Sequence, residues 1–304
     1  MNFRHFELLI AATFTPFDTK GELNLNIIPE YARRLKEDGV KGVFVCGSSG
    51  EGLLMENGER KAVAEAWIPF SEEDFRVIVH VGSTSSKMAG DLAAHAASIG
   101  ADAVGCMGPC CFQPRDAHSL TAFCAEVASA APELPFYYYH IPGTSGVHVK
   151  MDEFLNEAAT VIPNLAGIKY TFPNLMEMLE CITMRNGKFD ILHGQDEALL
   201  AGLTMGAKAA IGTTYNFMAP VFNKLIAQLK KGETAEALKI QTQINQVIQV
   251  LLSTGSAISG GKAMMKMAGI DCGPCRLPLS TLTVAQEKQF EEDLEQVGYF
   301  KLIG

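Results

Sequence analysis

The chain has 304 residues, 48% hydrophobic and 19% charged, with 25 Lys and Arg against 34 Asp and Glu. That composition supports a buried core and excludes a disordered or collagenous chain. The formal net charge of −9 argues against a nucleic-acid partner or docking on anionic membranes, which both need clustered cations. An anionic small substrate stays open, because a local cradle of N–H groups outweighs distant surface charge.

No apolar run approaches the ~20 residues of a membrane span. The N-terminal segment holds only a short apolar stretch, Leu8-Leu9-Ile10-Ala11-Ala12, without a signal-peptide layout. The expectation is a cytoplasmic protein. Eight cysteines are present, several inside apolar runs (Cys46, Cys106, Cys124), and are expected as buried free thiols.

Short β-rich runs recur along the chain: Leu9–Phe14, Gly42–Cys46, Val77–Val81, Ala103–Met107, Phe136–His140, Ala166–Tyr170, Asp190–His193 and Ala209–Gly212. Their spacing fits a strand, a helix and two loops each time. Between them, apolar residues recur at helical period. Ile28–Asp38 carries Ile28, Tyr31, Ala32 and Leu35, then stops at Gly39. Gly58–Phe70, Lys87–Ile99, Asp116–Ala130, Met151–Thr160, Asn174–Met184 and Glu197–Met205 continue the pattern. Eight βα units in succession predict an α/β fold, a closed (β/α)8 TIM barrel. An open doubly wound sheet would need a Gly-rich dinucleotide turn after the first strand, and none is there. Further helices are predicted around Val221–Lys231, Thr234–Thr254, Ser259–Ala268 and Thr283–Val297. We expect one domain, with residues 1–231 as the barrel and 232–304 as a C-terminal helical extension.

Chemistry in such a barrel sits at the C-terminal ends of the strands. The second strand leads into Gly47-Ser48-Ser49-Gly50-Glu51-Gly52, whose N–H groups and hydroxyls suit an anion. The fifth ends in Tyr138-Tyr139-His140-Ile141-Pro142, and the sixth contains Gly167-Ile168-Lys169-Tyr170-Thr171. The seventh ends in His193-Gly194-Gln195-Asp196-Glu197, and the eighth in Gly212-Thr213-Thr214-Tyr215-Asn216. Lys169 follows directly from a buried strand. A charged ammonium there loses solvation, which favours a neutral amine able to form a Schiff base with a ketone. The position alone leaves a second role open, a lysine paired with a carboxylate at the barrel mouth. If Lys169 points inward, Gly167 and Thr171 share its face while Ile168 and Tyr170 face the helices. Tyr139, one βα unit earlier, then lies on the neighbouring strand with its phenol near the amine. Asp196 and Glu197 either cap the following helix or accept hydroxyls of a substrate.

Two patterns point elsewhere. Cys272-Gly273-Pro274-Cys275 matches a dithiol redox motif but lacks a βαβ setting. His80, His140 and His193 all lie on strand ends but lack the local spacing of metal ligands.

Taken together, Gly47-Ser48-Ser49-Gly50-Glu51-Gly52, Tyr139-His140-Ile141-Pro142 and Gly167-Ile168-Lys169 resemble the N-acetylneuraminate lyase and dihydrodipicolinate synthase superfamily of class I aldolases. The resemblance spans nearly the whole chain and is nearest to the lyase branch, through Phe136–Pro142 with Thr144-Ser145-Gly146-Val147, through Gly212–Asn216, and through Gly273-Pro274 before Arg276-Leu277-Pro278-Leu279. It implies reversible cleavage of N-acetylneuraminate to N-acetylmannosamine and pyruvate, with no metal or organic cofactor. Another pyruvate-dependent aldolase acting on a 2-keto-3-deoxy sugar acid, a condensation of the synthase type, or a barrel that binds such ligands without catalysis are the alternatives. The resemblance also implies Lys169 as the Schiff-base residue and Tyr139 as the proton carrier. Ser48 and Ser49 would hold the carboxylate, and Thr171, Gly194, Asp196, Glu197 and Thr213 the sugar. A homotetramer is implied as well. Two departures stand out. The synthases place an arginine just after the Pro-Gly, where this chain has Gly143-Thr144-Ser145, and many relatives carry aromatics where it has Pro109-Cys110-Cys111-Phe112.

Overall fold

Eight apolar strands joined by amphipathic helices can bury both faces of a parallel sheet only by closing it and wrapping the helices outside. The computed structural model, which describes residues 4–304, has this arrangement. The strands are β1 (Leu8–Ala12), β2 (Gly42–Val45), β3 (Arg76–His80), β4 (Ala103–Met107), β5 (Phe136–His140), β6 (Leu165–Tyr170), β7 (Asp190–His193) and β8 (Ala209–Gly212). Each pairs in parallel with the next, and β8 returns to β1 with Leu8 opposite Ala209 and Ala11 opposite Gly212.

The helices are α1 (Ile28–Glu37), α2 (Asn57–Trp67), α3 (Ser86–Ser98), α4 (Ala117–Ser129), a single turn α5 (Pro142–Ser145), α6 (Met151–Val161), α7 (Leu175–Thr183), α8 (Leu199–Thr204) and α9 (Tyr215–Lys230). Beyond the barrel lie α10 (Thr234–Ser253), α11 (Ala257–Met267), α12 (Val284–Gln296) and α13 (Tyr299–Ile303). Local chemistry starts several of them. Ser85 accepts a hydrogen bond from the Met88 N–H at the head of α3, and Asn174 one from the Glu177 N–H at the head of α7. A reciprocal capping box joins Glu56 and Glu59 before α2.

Two hydrophobic layers result. Ile10, Phe44, Ile78, Met107, Tyr137, Tyr139, Leu192 and Ile211 fill the barrel interior. Tyr138, Ile168 and Tyr170 belong to the outer layer between strands and helices. The three consecutive tyrosines thus divide by alternation, with Tyr137 and Tyr139 inward and Tyr138 outward.

The sequence-predicted elements are all present, with two notable shifts. The expected helix at Val221 begins six residues earlier, at Tyr215, and contains Pro220. Asn216 therefore belongs to α9 and not to the end of β8. Its side chain anchors that start, donating to the Ala12 and Thr213 carbonyls at 2.8 and 2.7 Å and accepting the Tyr31 hydroxyl at 2.5 Å. The strand predicted over Ala166–Tyr170 starts at Leu165 and carries a bulge. Leu165 faces Phe136 but Gly167 faces Tyr137, so one extra residue is inserted on β6.

Candidate active site

That bulge decides the site. Without it, counting from Leu165 opposite Phe136 would bring Lys169 opposite His140, which points to the helices. With it, Lys169 is opposite Tyr139, which points into the barrel. The Lys169 Nζ lies 3.9 Å from the centre of the Tyr139 ring and 4.3 Å from that of Phe44. The lysine is only 4% exposed. Among the described residues no carboxylate lies within ion-pair distance of it. The two roles left open by the sequence therefore separate: the lysine is buried against aromatic faces and not in a salt bridge. A carboxylate partner would hold Nζ in a hydrogen-bonded ion pair, whereas ring faces attract it more weakly and leave its nitrogen open toward a carbonyl carbon.

The turn after β2 carries the serines. Ser48 is half-buried and Ser49 buried. The chain enters it through Cys46 and leaves it through Glu51, both in the left-handed region (φ 58° and 56°). The Ser48 carbonyl accepts the Glu51 N–H at 3.1 Å, and the Gly47 carbonyl the Gly52 N–H at 3.0 Å. Among the described residues the Ser48 and Ser49 N–H groups donate to no protein acceptor, which leaves them for an anion. The Ser49 hydroxyl meets the Thr213 hydroxyl at 2.6 Å, joining this turn to the end of β8.

At the ends of β7 and β8, Asp196 is buried and accepts both the N–H and the hydroxyl of Thr214, at 2.8 and 2.7 Å. It caps no helix of its own, contrary to one of the two roles expected for it. Burial pushes its carboxyl up to about 6, against the Thr214 hydrogen bonds and the positive charge of Lys169, which pull it down. Glu197 is exposed, with the Gln195 amide 3.4 Å from its carboxylate. The Gly194 N–H donates to the Tyr170 carbonyl at 2.8 Å, and any Cβ at this glycine would collide with the Thr171 hydroxyl. That hydroxyl is buried with no partner among the described residues, which leaves it unused hydrogen-bonding capacity.

The competing patterns resolve structurally. Cys272 and Cys275 are free thiols, the first pushed up to about 12 by burial. Redox cysteines need the opposite shift. His193 donates from Nε2 to the Gln195 carbonyl (2.8 Å) and packs on Met178. His140 lies among Tyr138, Tyr170 and Phe172, with burial pushing it down to about 4. His80 faces Phe44 and Tyr139 inside the barrel. His80 thus lies inside the barrel while His140 and His193 face the helices from different strands, each packed on its own neighbours, and the three do not converge. Among the described residues no three His, Cys, Asp or Glu side chains are grouped to hold a metal ion, and no helix is long and apolar enough to cross a membrane.

Sequence reasoning missed Phe44 as the second platform for Lys169 and Thr214 as the partner of Asp196. Phe44 stands in an all-apolar strand, where nothing in the sequence separates it from ordinary core. Thr214 neighbours Thr213, and only the loop conformation decides which of the two turns toward Asp196.

The sequence model of the dihydrodipicolinate synthetase family matches residues 5–297. The chain is 37% identical to the N-acetylneuraminate lyase of Rattus norvegicus over 300 residues, covering 97% of this chain and 94% of that one. It is 40% identical to the human N-acetylneuraminate lyase over 275 residues, covering 89% and 86%. The structure of an N-acetylneuraminate lyase (sialic acid aldolase) from Aliivibrio salmonicida superposes with a TM-score of 0.94 at 39% identity, covering 98% of each chain.

Proposed function

Since the chain belongs to the dihydrodipicolinate synthetase family, we propose that it is a Schiff-base aldolase that cleaves N-acetylneuraminate reversibly to N-acetylmannosamine and pyruvate. The single observation that carries the chemistry is Lys169: a buried amine without a carboxylate partner, lying over the Tyr139 ring.

The steps follow from the residues. Lys169 Nζ adds to the C2 ketone of the open-chain sugar acid, and loss of water gives an iminium. Ser48 and Ser49 hold the C1 carboxylate with their hydroxyls and free N–H groups. Tyr139 carries the proton of the C4 hydroxyl as the C3–C4 bond breaks. The electron pair of that bond passes into the iminium, leaving an enamine on Lys169 and releasing N-acetylmannosamine as the aldehyde. Protonation at C3 and attack of water then free pyruvate and restore the amine. The iminium is itself the electron sink, so the reaction as written needs neither metal nor organic cofactor. Thr171, Gly194, Asp196, Glu197 and Thr213 line the end where the polyol and amide would lie. A carboxylate accepts several hydroxyl bonds, which suits Asp196 and Glu197 to a polyol.

Eight free thiols suit a reducing compartment, which supports a cytoplasmic site. The resemblance supports a homotetramer. One domain is the favoured reading, barrel over 1–231 and extension over 232–304, because Lys262 on α11 pairs with Glu51 of the β2 turn at 2.7 Å.

Two measurements test the function. Borohydride reduction in the presence of labelled pyruvate is expected to fix a three-carbon adduct on Lys169; a barrel that only binds would carry none. Pyruvate release is expected from N-acetylneuraminate. Release from 2-keto-3-deoxygluconate alone would transfer the chain to the rival aldolase class.

A further inference from the structure

The β3 histidine inside the barrel has no part in the mechanism above. His80 is 2% exposed and touches both halves of the site. Its Nδ1 lies 3.0 Å from the Cys46 carbonyl oxygen, at the entry to the serine turn. Its ring stands edge-on to Tyr139, centroids 5.9 Å apart, and 5.7 Å from the Phe44 ring. Those are the two rings that carry Lys169.

The histidine is itself clamped. Arg60 of α2 is buried among backbone carbonyls, donating to the His80 carbonyl at 2.7 Å and the Gly82 carbonyl at 2.9 Å. Among the described residues it pairs with no carboxylate. Burial and this guanidinium keep the imidazole neutral. Nδ1 has two neighbours, the Cys46 carbonyl oxygen at 3.0 Å and the Arg60 Nη2 at 3.4 Å. Nη2 already donates to the His80 carbonyl at 2.7 Å, and the shorter contact assigns the proton to Nδ1, which donates to Cys46. The Nε2 is then a bare acceptor, buried with no partner among the described residues.

Cys46 has φ 58°. A non-glycine residue in this region costs about 1 kcal/mol or more and persists only where its surroundings hold it. The His80 hydrogen bond and a weak contact from the Cys46 thiol to the Arg60 carbonyl at 3.6 Å do so. The left-handed twist at Cys46 sets the course of the turn, whose Ser48 and Ser49 N–H groups have no protein acceptor among the described residues.

We propose that His80, clamped by Arg60, is a positioning residue that fixes the Cys46 carbonyl and thereby aims the Ser48-Ser49 turn at the carboxylate of the keto acid. This inference rests on the aldolase reading and adds a determinant of pyruvate affinity to it. His80 touches no reacting atom.

The test replaces His80 by Asn, Gln and Leu in the full chain and measures borohydride trapping of labelled pyruvate against its concentration. Asn puts an amide where Nδ1 stood, while Gln puts it where Nε2 stood and Leu has none. Half-saturation is expected to rise at least about tenfold in H80Q and H80L and to stay within about threefold of wild type in H80N, the range one buried hydrogen bond supplies. The trapping rate at saturating pyruvate is expected to stay within about twofold throughout, which a general loss of site structure would not allow. If H80L does not fold, the Asn and Gln variants still decide. Equal half-saturation in H80N and H80Q, or a fall in the saturated rate without a rise in half-saturation, overturns the role of His80. No adduct on wild-type Lys169 overturns the aldolase reading and this inference with it.

Discussion

Two lysines are buried to the same degree in this molecule and both lie over aromatic rings, but only one has a carboxylate partner. Lys169 in the barrel mouth and Lys262 on α11 are each 4% exposed. Lys262 lies 2.7 Å from the fully buried Glu51 carboxylate and donates to the Pro274 carbonyl at 2.7 Å. The same Glu51 accepts the Arg276 N–H at 2.7 Å, and the Arg276 guanidinium grips Glu59 of the α2 capping box. The junction between barrel and C-terminal helices is thus a compensated network, in which each buried charge has an opposite partner. The barrel mouth holds its lysine against two ring faces with no carboxylate paired to it among the described residues. Burial alone says nothing about a lysine's work; the partner does. A compensated lysine holds two elements together, and an uncompensated one keeps a nitrogen available for a bond to substrate.

Substitutions at the two sites are expected to break in different ways. The largest effect belongs to Lys169→Ala, which is expected to lower pyruvate release on the order of 10⁴-fold, as loss of a covalent nucleophile does. Its thermal unfolding temperature is expected to stay near that of wild type, since no ion pair is lost. A collapse in stability instead would show that the mouth is also a structural site. Lys262→Met reverses the pattern. It strands the Glu51 carboxylate in the interior, and unfolding in urea is expected to show a loss of about 3–5 kcal/mol. The double variant Lys262→Met with Glu51→Gln is expected to regain part of that loss; no recovery would mean that the pair does not act as a unit.

Tyr139→Phe sharpens the comparison inside the mouth. The ring under Nζ stays and the phenol goes. Pyruvate trapping on Lys169 is expected to persist, while cleavage of N-acetylneuraminate falls about 10²-fold or more. Equal losses in both assays would make the ring, not the hydroxyl, the contributor.

Asp196 gives the smallest effect. Its carboxyl is raised from 3.8 to about 6 by burial. The folded state therefore holds this proton more tightly than the unfolded one. The resulting stabilisation is fully present below pH ~4 and is lost as pH rises through about 6, by about 3 kcal/mol at most. Asp196→Asn cannot ionise, so the gap between its unfolding free energy and that of wild type is expected to change between pH 4 and 6.5 and to stay constant above. A gap that is flat across the range would mean that Asp196 titrates normally.

The order of strands, the helices between them and the strand ends that bear the polar residues follow from the sequence, because period-2 and period-3.6 apolar patterns report which backbone can bury its side chains. Lys169, Tyr139 and the Ser48-Ser49 turn were legible as candidates for the same reason: barrel topology brings strand ends together wherever they lie in the chain. What the sequence left undecided was facing. One residue inserted at the start of β6 sets Lys169 opposite Tyr139 and not His140, and Gly167 there signals either a bulge or a close backbone approach without deciding between them. Nor did the sequence separate Lys169 from Lys262, or pick out Phe44, His80 and Arg60, whose roles depend on which side chain arrives next to them from another strand or helix. Patterning is local and survives in one dimension; register and charge compensation are made only when distant segments close on one another.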